Sequence, residues 1–261
     1  MPRYKLTVEY DGTGLVGWQR QDNGLSVQAI LETAVFRLSG TEVGVAGAGR
    51  TDAGVHATGQ VAHIDLVKAF HPDRVRDGLN FWLRGEDAPV SVVAAEVVPD
   101  DFHARFSAIG RRYLYRIVDR RPPPVLDLHR VMWVHRRLDV DAMHLAAQNL
   151  VGHHDFTSFR ASECQSATPV KTLDRLDVLR VGEEIHVVAW ARSFLHHQVR
   201  NMVGTLRLVG EGKWGGEDVV RILAARDRAK AGPTAAPQGL YLTDVIYPDV
   251  VGGEGGAAPV R

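Results

Sequence analysis

Cysteine is nearly missing from this 261-residue chain, which has Cys164 and no other. A lone thiol excludes an intramolecular disulfide and any metal site built from several thiolates. Lysine is scarce as well, five against 26 arginines, a bias that genome composition alone can produce. No apolar run approaches the roughly 18–20 residues that a membrane-spanning helix needs. Residues 1–5 lead straight into strand-like alternation, so no leader peptide is expected, and a reducing cytoplasm is the expected compartment. Net charge is also lacking, with 31 basic and 31 acidic side chains. At first that balance argues against a polyanionic partner. The distribution is less even. Residues 1–110 carry 10 basic and 14 acidic groups, whereas 111–261 carry 21 and 17. Eight arginines fall within 111–137, against Asp119 and Asp127. Phosphate contacts respond to local rather than net charge, so this stretch reads equally as a phosphate-binding surface or as a solvated strand.

What is present is an ordinary globular composition, 45% hydrophobic and 24% charged, enough for one large domain or two small ones. Residues 4–10 alternate as a strand, and 11–14 read as a turn. Ser26 caps a helix whose apolar positions Val27, Ile30, Leu31, Ala34, Val35 and Leu38 keep helical spacing. A strand over 42–46 enters a Gly-rich loop, and 60–66 is the strand leaving it. Pro72 opens a second helix to about 83, and 89–98 is β-branched and apolar. The order β-α-β-β-α-β is that of a ferredoxin-like unit. The second half repeats it loosely. A strand over 107–118 is followed by a helix over 139–151, a hairpin of 173–181 with 185–190, a helix over 194–209, a shorter one near 217–225, and a strand over 240–247. The division is expected at 105/106, giving halves 1–105 and 106–249, with a flexible Gly-rich tail at 250–261.

The loop Gly47-Ala48-Gly49-Arg50-Thr51-Asp52-Ala53-Gly54-Val55-His56-Ala57 sets a cation, a hydroxyl, a carboxylate and an imidazole among small residues. Such residues let a backbone approach a ligand closely. Three readings compete. Residues 44–51 spell G-x-x-x-x-G-R-T, near a Walker A loop, but arginine stands where lysine is required and the element order is not that of a parallel nucleotide-binding sheet. The plain reading is a tight hairpin turn with exposed polar residues. The third is a catalytic loop.

The motif Arg50-Thr51-Asp52-Ala53-Gly54-Val55-His56-Ala57 resembles the catalytic motif of the TruA family of tRNA pseudouridine synthases. Further matches run in order: Tyr10-Asp11-Gly12-Thr13, Gly17-Trp18-Gln19-Arg20, Ala104-Arg105-Phe106-Ser107, Arg111-Arg112-Tyr113-Leu114-Tyr115, His154-Asp155-Phe156, Phe194-Leu195-His196-His197-Gln198-Val199-Arg200-Asn201 and Gly239-Leu240-Tyr241-Leu242. Gln198 departs from the methionine expected there. The resemblance implies an α+β fold of two ferredoxin-like halves forming one continuous, mostly antiparallel sheet flanked by helices, with a cleft between them. It also implies a homodimer, tRNA as partner and the 3′ side of the anticodon stem-loop as target. The competing class is a non-catalytic RNA-binding module on the same fold.

Turning uridine into pseudouridine breaks the bond from ribose C1′ to base N1 and rejoins the base through C5. Atoms and electrons balance within one nucleotide, so neither a cofactor nor a metal is expected. A carboxylate is needed near the sugar, as nucleophile at C1′ or base at C2′. Asp52 matches the family's carboxylate. An enclosed carboxylate stays charged only beside a cation, and Arg200 matches the family's partner, at the edge of the apolar stripe Leu195, Val199, Met202, Val203, Leu206 and Val209. By the same resemblance Tyr113 stacks on the target base and serves proton removal from C5, Arg50 holds the flipped state, and Leu240 walls the pocket. The histidine pairs His153-His154 and His196-His197 give no metal set on this reading, because neighbours on a helix diverge by about 100°.

Overall fold

The computed structural model describes residues 1–86 and 88–248, so residue 249 and the expected tail at 250–261 lie outside the described residues. The first half follows the expected order. Strand β1 (Arg3–Tyr10) alternates as its sequence requires, with Tyr4, Leu6, Val8 and Tyr10 buried. Helix α1 (Val27–Ser39) starts where the Ser26 hydroxyl accepts a hydrogen bond from Ala29 N at 3.2 Å, and it buries Val27, Leu31, Ala34 and Val35. Strand β2 (Ala46–Gly47) is shorter than expected. Gly47 lies against the Trp18 indole, where an added Cβ would come within 2.4 Å of the ring, so the strand ends where only glycine fits. Strand β3 (His56–Asp65) begins earlier than expected and takes His56 and Ala57 out of the loop. Helix α2 (Pro72–Gly85) and strand β4 (Val90–Val98) complete the half.

The second half comprises β5 (Gly110–Val118), β6 (Met132–Trp133), α3 (Val140–Gln148), β7 (Gly152–Asp155), β8 (Val170–Val181), β9 (Glu184–Ala191), α4 (Gln198–Gly210), α5 (Gly216–Ala225) and β10 (Leu240–Ile246). The strands of both halves form one sheet in the order β4-β1-β3-β10-β5-β9-β8-β7, with β2 added to β3 and β6 to β5. In each half the first strand lies between the last and the third, the ferredoxin-like arrangement (β4-β1-β3-β2 and β10-β5-β9-β8). All pairings are antiparallel except β5 with β6 and the seam, where β10 runs parallel to β3 through Tyr241 with His56 and Leu242 with Ala57. The fold class is therefore the expected one.

The core has two parts that borrow from each other. Leu242 and Val245 of β10 pack with Tyr4, Leu31 and Leu79 in the N-terminal part, and Val55 packs with Tyr115, Leu195 and Leu240 in the C-terminal part. The sheet runs on without a break past 105/106, where Ile109 N bonds Ile246 O and Tyr247 OH bonds Ala104 O.

One element departs from expectation at a place that matters. The helix expected from 194 begins only at Gln198, because His197 takes a left-handed conformation, φ 62° and ψ 3°. A left-handed residue cannot sit inside a right-handed helix, so residues 194–197 form a turn in front of it.

Candidate active site

The loop between β2 and β3 is held by the segment that follows β1. Gly12 lies so close to the loop that an added Cβ would fall 2.1 Å from Val55 O, and one on Gly17 would fall 2.5 Å from Thr51 O. Trp18 N donates to Thr51 O at 3.1 Å, and Gly54 N donates to Leu15 O at 3.3 Å. The Thr51 hydroxyl pairs with Tyr10 OH at 2.8 Å, and Gln60 Nε2 donates to Gly49 O at 2.8 Å. Burial pushes the Tyr10 phenol up to about 12, and its hydrogen bonds to Thr51 and Gln60 only partly offset that.

Of the four polar side chains in the loop, two are spent on structure. Thr51 is bonded as described. His56 is 2% exposed and accepts from Gly12 N through Nδ1, while its Nε2 reaches His129 O at 3.0 Å, which makes Nε2 the protonated nitrogen. Burial lowers its pKa despite the carboxylate of Asp11 beside it. The other two, Arg50 and Asp52, face the second half. Arg50 is exposed, and its Nη1 donates to Gln165 Oε1 at 3.1 Å.

Asp52 meets Arg200 across 148 positions of sequence: Nη1 donates to Oδ2 at 2.8 Å, with the two side chains 20% and 12% exposed. The guanidinium does not grip the carboxylate with two bonds. Its Nε instead donates to Ala235 O at 2.8 Å, and Ala235 N donates back to Arg200 O at 3.1 Å. This fixes Arg200 from the side of β10 and leaves Asp52 Oδ1 without a hydrogen bond among the described residues.

Two side chains at Asp52 were not expected there. His196 Nε2 stands 3.3 Å from Oδ1 and His197 Nε2 stands 3.3 Å from Oδ2. The helix assumed for them would have splayed them apart; the left-handed turn brings both rings to one side, with centroids 4.0 Å apart. That overturns the angular argument against their convergence. Desolvation lowers the His197 pKa, outweighing the pull of Asp52. A non-glycine residue at positive φ costs on the order of 1–3 kcal/mol and tends to persist where a site requires it. Adjacent histidines next to an arginine of the motif were the available signal; the backbone conformation that joins them had none.

Tyr113 is half-buried on β5, its ring edge-on to Phe194 at 5.1 Å, and its hydroxyl makes no hydrogen bond among the described residues. Burial, then the neighbouring Tyr10 and the negative charge of Asp52, raise its pKa, so it is a neutral phenol. Leu240 is 6% exposed and belongs to the C-terminal core beside Val55, three positions after Asp52. Gln198, the departure from the motif, is buried; its Oε1 accepts from Leu195 N at 2.8 Å, and its Nε2 has no partner among the described residues.

Of the eight arginines in the basic stretch, Arg111 is the one turned fully inward. Arg111 is buried and donates to four backbone carbonyls, among them Ala48 O at 2.8 Å in front of the loop bearing Asp52. Arg116 pairs with Glu184, Arg130 with Asp11, Arg137 with Asp119, and Arg112 approaches Asp244 at 3.9 Å. Arg111 and the half-buried Arg116 are committed to the fold, whereas Arg112, Arg130 and Arg137 keep 42%, 57% and 61% of their side chains exposed, so the stretch still presents positive charge at the surface.

Residues 6–107 and 146–248 match the family model described as tRNA pseudouridine synthase. The chain belongs to that family. Among curated relatives of the family, tRNA pseudouridine synthase A of Paramagnetospirillum magneticum is 64% identical over 98% of this chain and 99% of the relative. The tRNA pseudouridine synthase A of Beijerinckia indica is 59% identical over 99% and 98%, and that of Azorhizobium caulinodans 60% over 96% and 96%. Both matched segments carry a member of the central ion pair, Asp52 in the first and Arg200 in the second. Likeness to the family therefore extends across the seam where the pair forms.

Proposed function

We propose that this chain is the isomerase that converts uridine to pseudouridine in tRNA, with Asp52 as the carboxylate that acts on the ribose. The observation carrying the assignment of Asp52 is the division of labour between its oxygens. Oδ2 is held by Arg200, while Oδ1, with His196 Nε2 3.3 Å away, accepts no hydrogen bond among the described residues and is the oxygen assigned to the sugar. Attack at C1′ and proton abstraction at C2′ both use that oxygen. In either route the C1′–N1 bond breaks, the base turns, C5 bonds to C1′, the C5 proton leaves and N1 regains one. No electrons are gained or lost, and no cofactor enters the balance.

The remaining roles are those that the family resemblance implies, proposed here for the residues as the structure places them. Arg200 holds Asp52 in place through the 2.8 Å hydrogen bond to Oδ2. Tyr113, neutral and half-buried, offers the ring on which the displaced base stacks. Its hydroxyl, without a hydrogen-bond partner among the described residues, takes the C5 proton as its own proton passes to solvent water. Arg50, at the open side of the loop, releases Gln165 and occupies the place of the flipped nucleotide; flipping is required because C1′ is inaccessible within stacked RNA. Leu240 closes the floor. The 3′ side of the anticodon stem-loop is the proposed target, the cytoplasm, where tRNA resides, is the proposed compartment, and a homodimer is the proposed assembly. Val125 and Leu126, 82% and 94% exposed, supply apolar surface for a second copy.

Purified protein incubated with unmodified tRNA, without ATP, is expected to form pseudouridine at mapped positions, and Asp52→Asn and Asp52→Ala to form none while still binding tRNA. Product from Asp52→Ala at even a hundredth of the parent rate would remove Asp52 from the role.

A further inference from the structure

We propose that Asp52, His196 and His197 form a site for one divalent transition-metal ion of the zinc type, and that its occupation stops the isomerase. The second half of this statement rests on Asp52 being the acting carboxylate; the first does not. Among the described residues this is the one group of three such side chains whose ligand atoms all lie within 4.8 Å of one another. A tetrahedral ion with bonds of about 2.0 Å sets its ligand atoms about 3.3 Å apart. His196 Nε2 stands 3.3 Å from Asp52 Oδ1 and His197 Nε2 stands 3.3 Å from Oδ2, so each imidazole keeps that spacing to one of the two carboxylate oxygens. Neither approach meets hydrogen-bond geometry, so no such bond need be broken to admit an ion between them.

The surroundings suit an ion as well. Arg200 occupies Oδ2 and leaves Oδ1 free, so the guanidinium holds the carboxylate from behind, as outer partners hold metal-ligating carboxylates. The left-handed backbone at His197 is what turns both rings to the same side, so the convergence is built into the turn and does not depend on side-chain rotation alone. Two imidazoles and one carboxylate favour zinc, cobalt, nickel or copper over magnesium and calcium, which prefer all-oxygen sets. Magnesium brought in with folded RNA therefore leaves the site empty. Three protein ligands leave a fourth position open to water. An ion on Oδ1 occupies the oxygen that the ribose needs, so bound metal and turnover exclude each other.

The test begins with RNA-free protein and Co²⁺ as a coloured probe. One equivalent is expected to produce the intense visible bands of tetrahedral cobalt, and Zn²⁺ to abolish them by displacement. His197→Asn keeps a residue that tolerates the left-handed backbone, and His196→Gln keeps polarity and approximate size. Each is expected to weaken cobalt binding by at least about tenfold, the scale set by loss of even an outer partner, with melting temperature and tRNA affinity unchanged. Absence of saturable bands in the parent protein, or the same titration in both variants, would overturn the site. With an anticodon stem-loop substrate, Zn²⁺ is expected to halt turnover and EDTA to restore it. Saturable binding with undiminished turnover would keep the site and overturn the role of Asp52.

Discussion

Arg200 divides its guanidinium between two acceptors, Asp52 Oδ2 and Ala235 O, each at 2.8 Å. A lysine ammonium at the same place is a point charge on a flexible stem and cannot hold that fixed fork. One charge-assisted hydrogen bond contributes about 1.5–3 kcal/mol, which is more than tenfold in rate if it is lost where the transition state forms. Arg200→Lys is therefore expected to lower single-turnover pseudouridine formation more than tenfold with tRNA affinity nearly unchanged. Parent-like turnover would show that charge alone suffices. The same residue marks how far the sequence can be read. Its place at the edge of an apolar stripe is equally that of a surface arginine, and only the family motif pairs it with Asp52. His196 and His197 were hidden for a different reason. Histidine is only modestly commoner than other side chains at positive φ and its presence does not announce that conformation, whereas glycine would have suggested it.

At the scale of elements, residues 10–18 act as a brace for the loop bearing Asp52. Gly12 has no room for a methyl group against Val55 O, whereas Gly44 has nothing within 4 Å. Gly12→Ala is expected to displace the loop and reduce turnover by an order of magnitude or more, and Gly44→Ala to leave turnover within about twofold, since surface changes away from packed features cost little. Equal kinetics for the two variants would show that the brace is dispensable. Helices with capped, periodic sequences were legible: Ser26 and the apolar spacing of α1 gave its start and buried face without other help. Strands set by distant partners were less so. β3 begins at His56 only because β10 pairs there, and β6 and β7, two and four residues long, are too short to show a period. The ferredoxin-like order was legible in the first half, but the seam joining the halves depends on a pairing between residues about 185 positions apart that no local signal carries.

For the whole molecule, we propose that the division at 105/106 is one of topology and not of independent stability. Leu242 and Val245 complete the N-terminal core, so a fragment of residues 1–105 lacks part of its own interior. Such a fragment is expected to show no cooperative thermal transition by circular dichroism; a sharp one would establish an autonomous domain. The buried phenols set a second global property. Tyr10 has its pKa pushed up to about 12 from an ordinary value of 10.0, and Tyr113, Tyr115 and Tyr247 are shifted the same way by burial. Above pH 10 the unfolded chain releases these protons while the folded chain keeps them, so unfolding is favoured as pH rises. The urea midpoint is expected to be insensitive to these groups below about pH 10 and to fall steadily above it; a flat midpoint to pH 12 would mean that the phenols titrate freely in the folded state. The ion pair between Asp52 and Arg200 has a genetic consequence. Both partners come from a single chain, so two inactive copies cannot repair one another. A cell carrying one allele with Asp52→Ala and another with Arg200→Ala is expected to remain without product even when the two chains assemble together, because every site in the mixed assembly inherits one defect or the other.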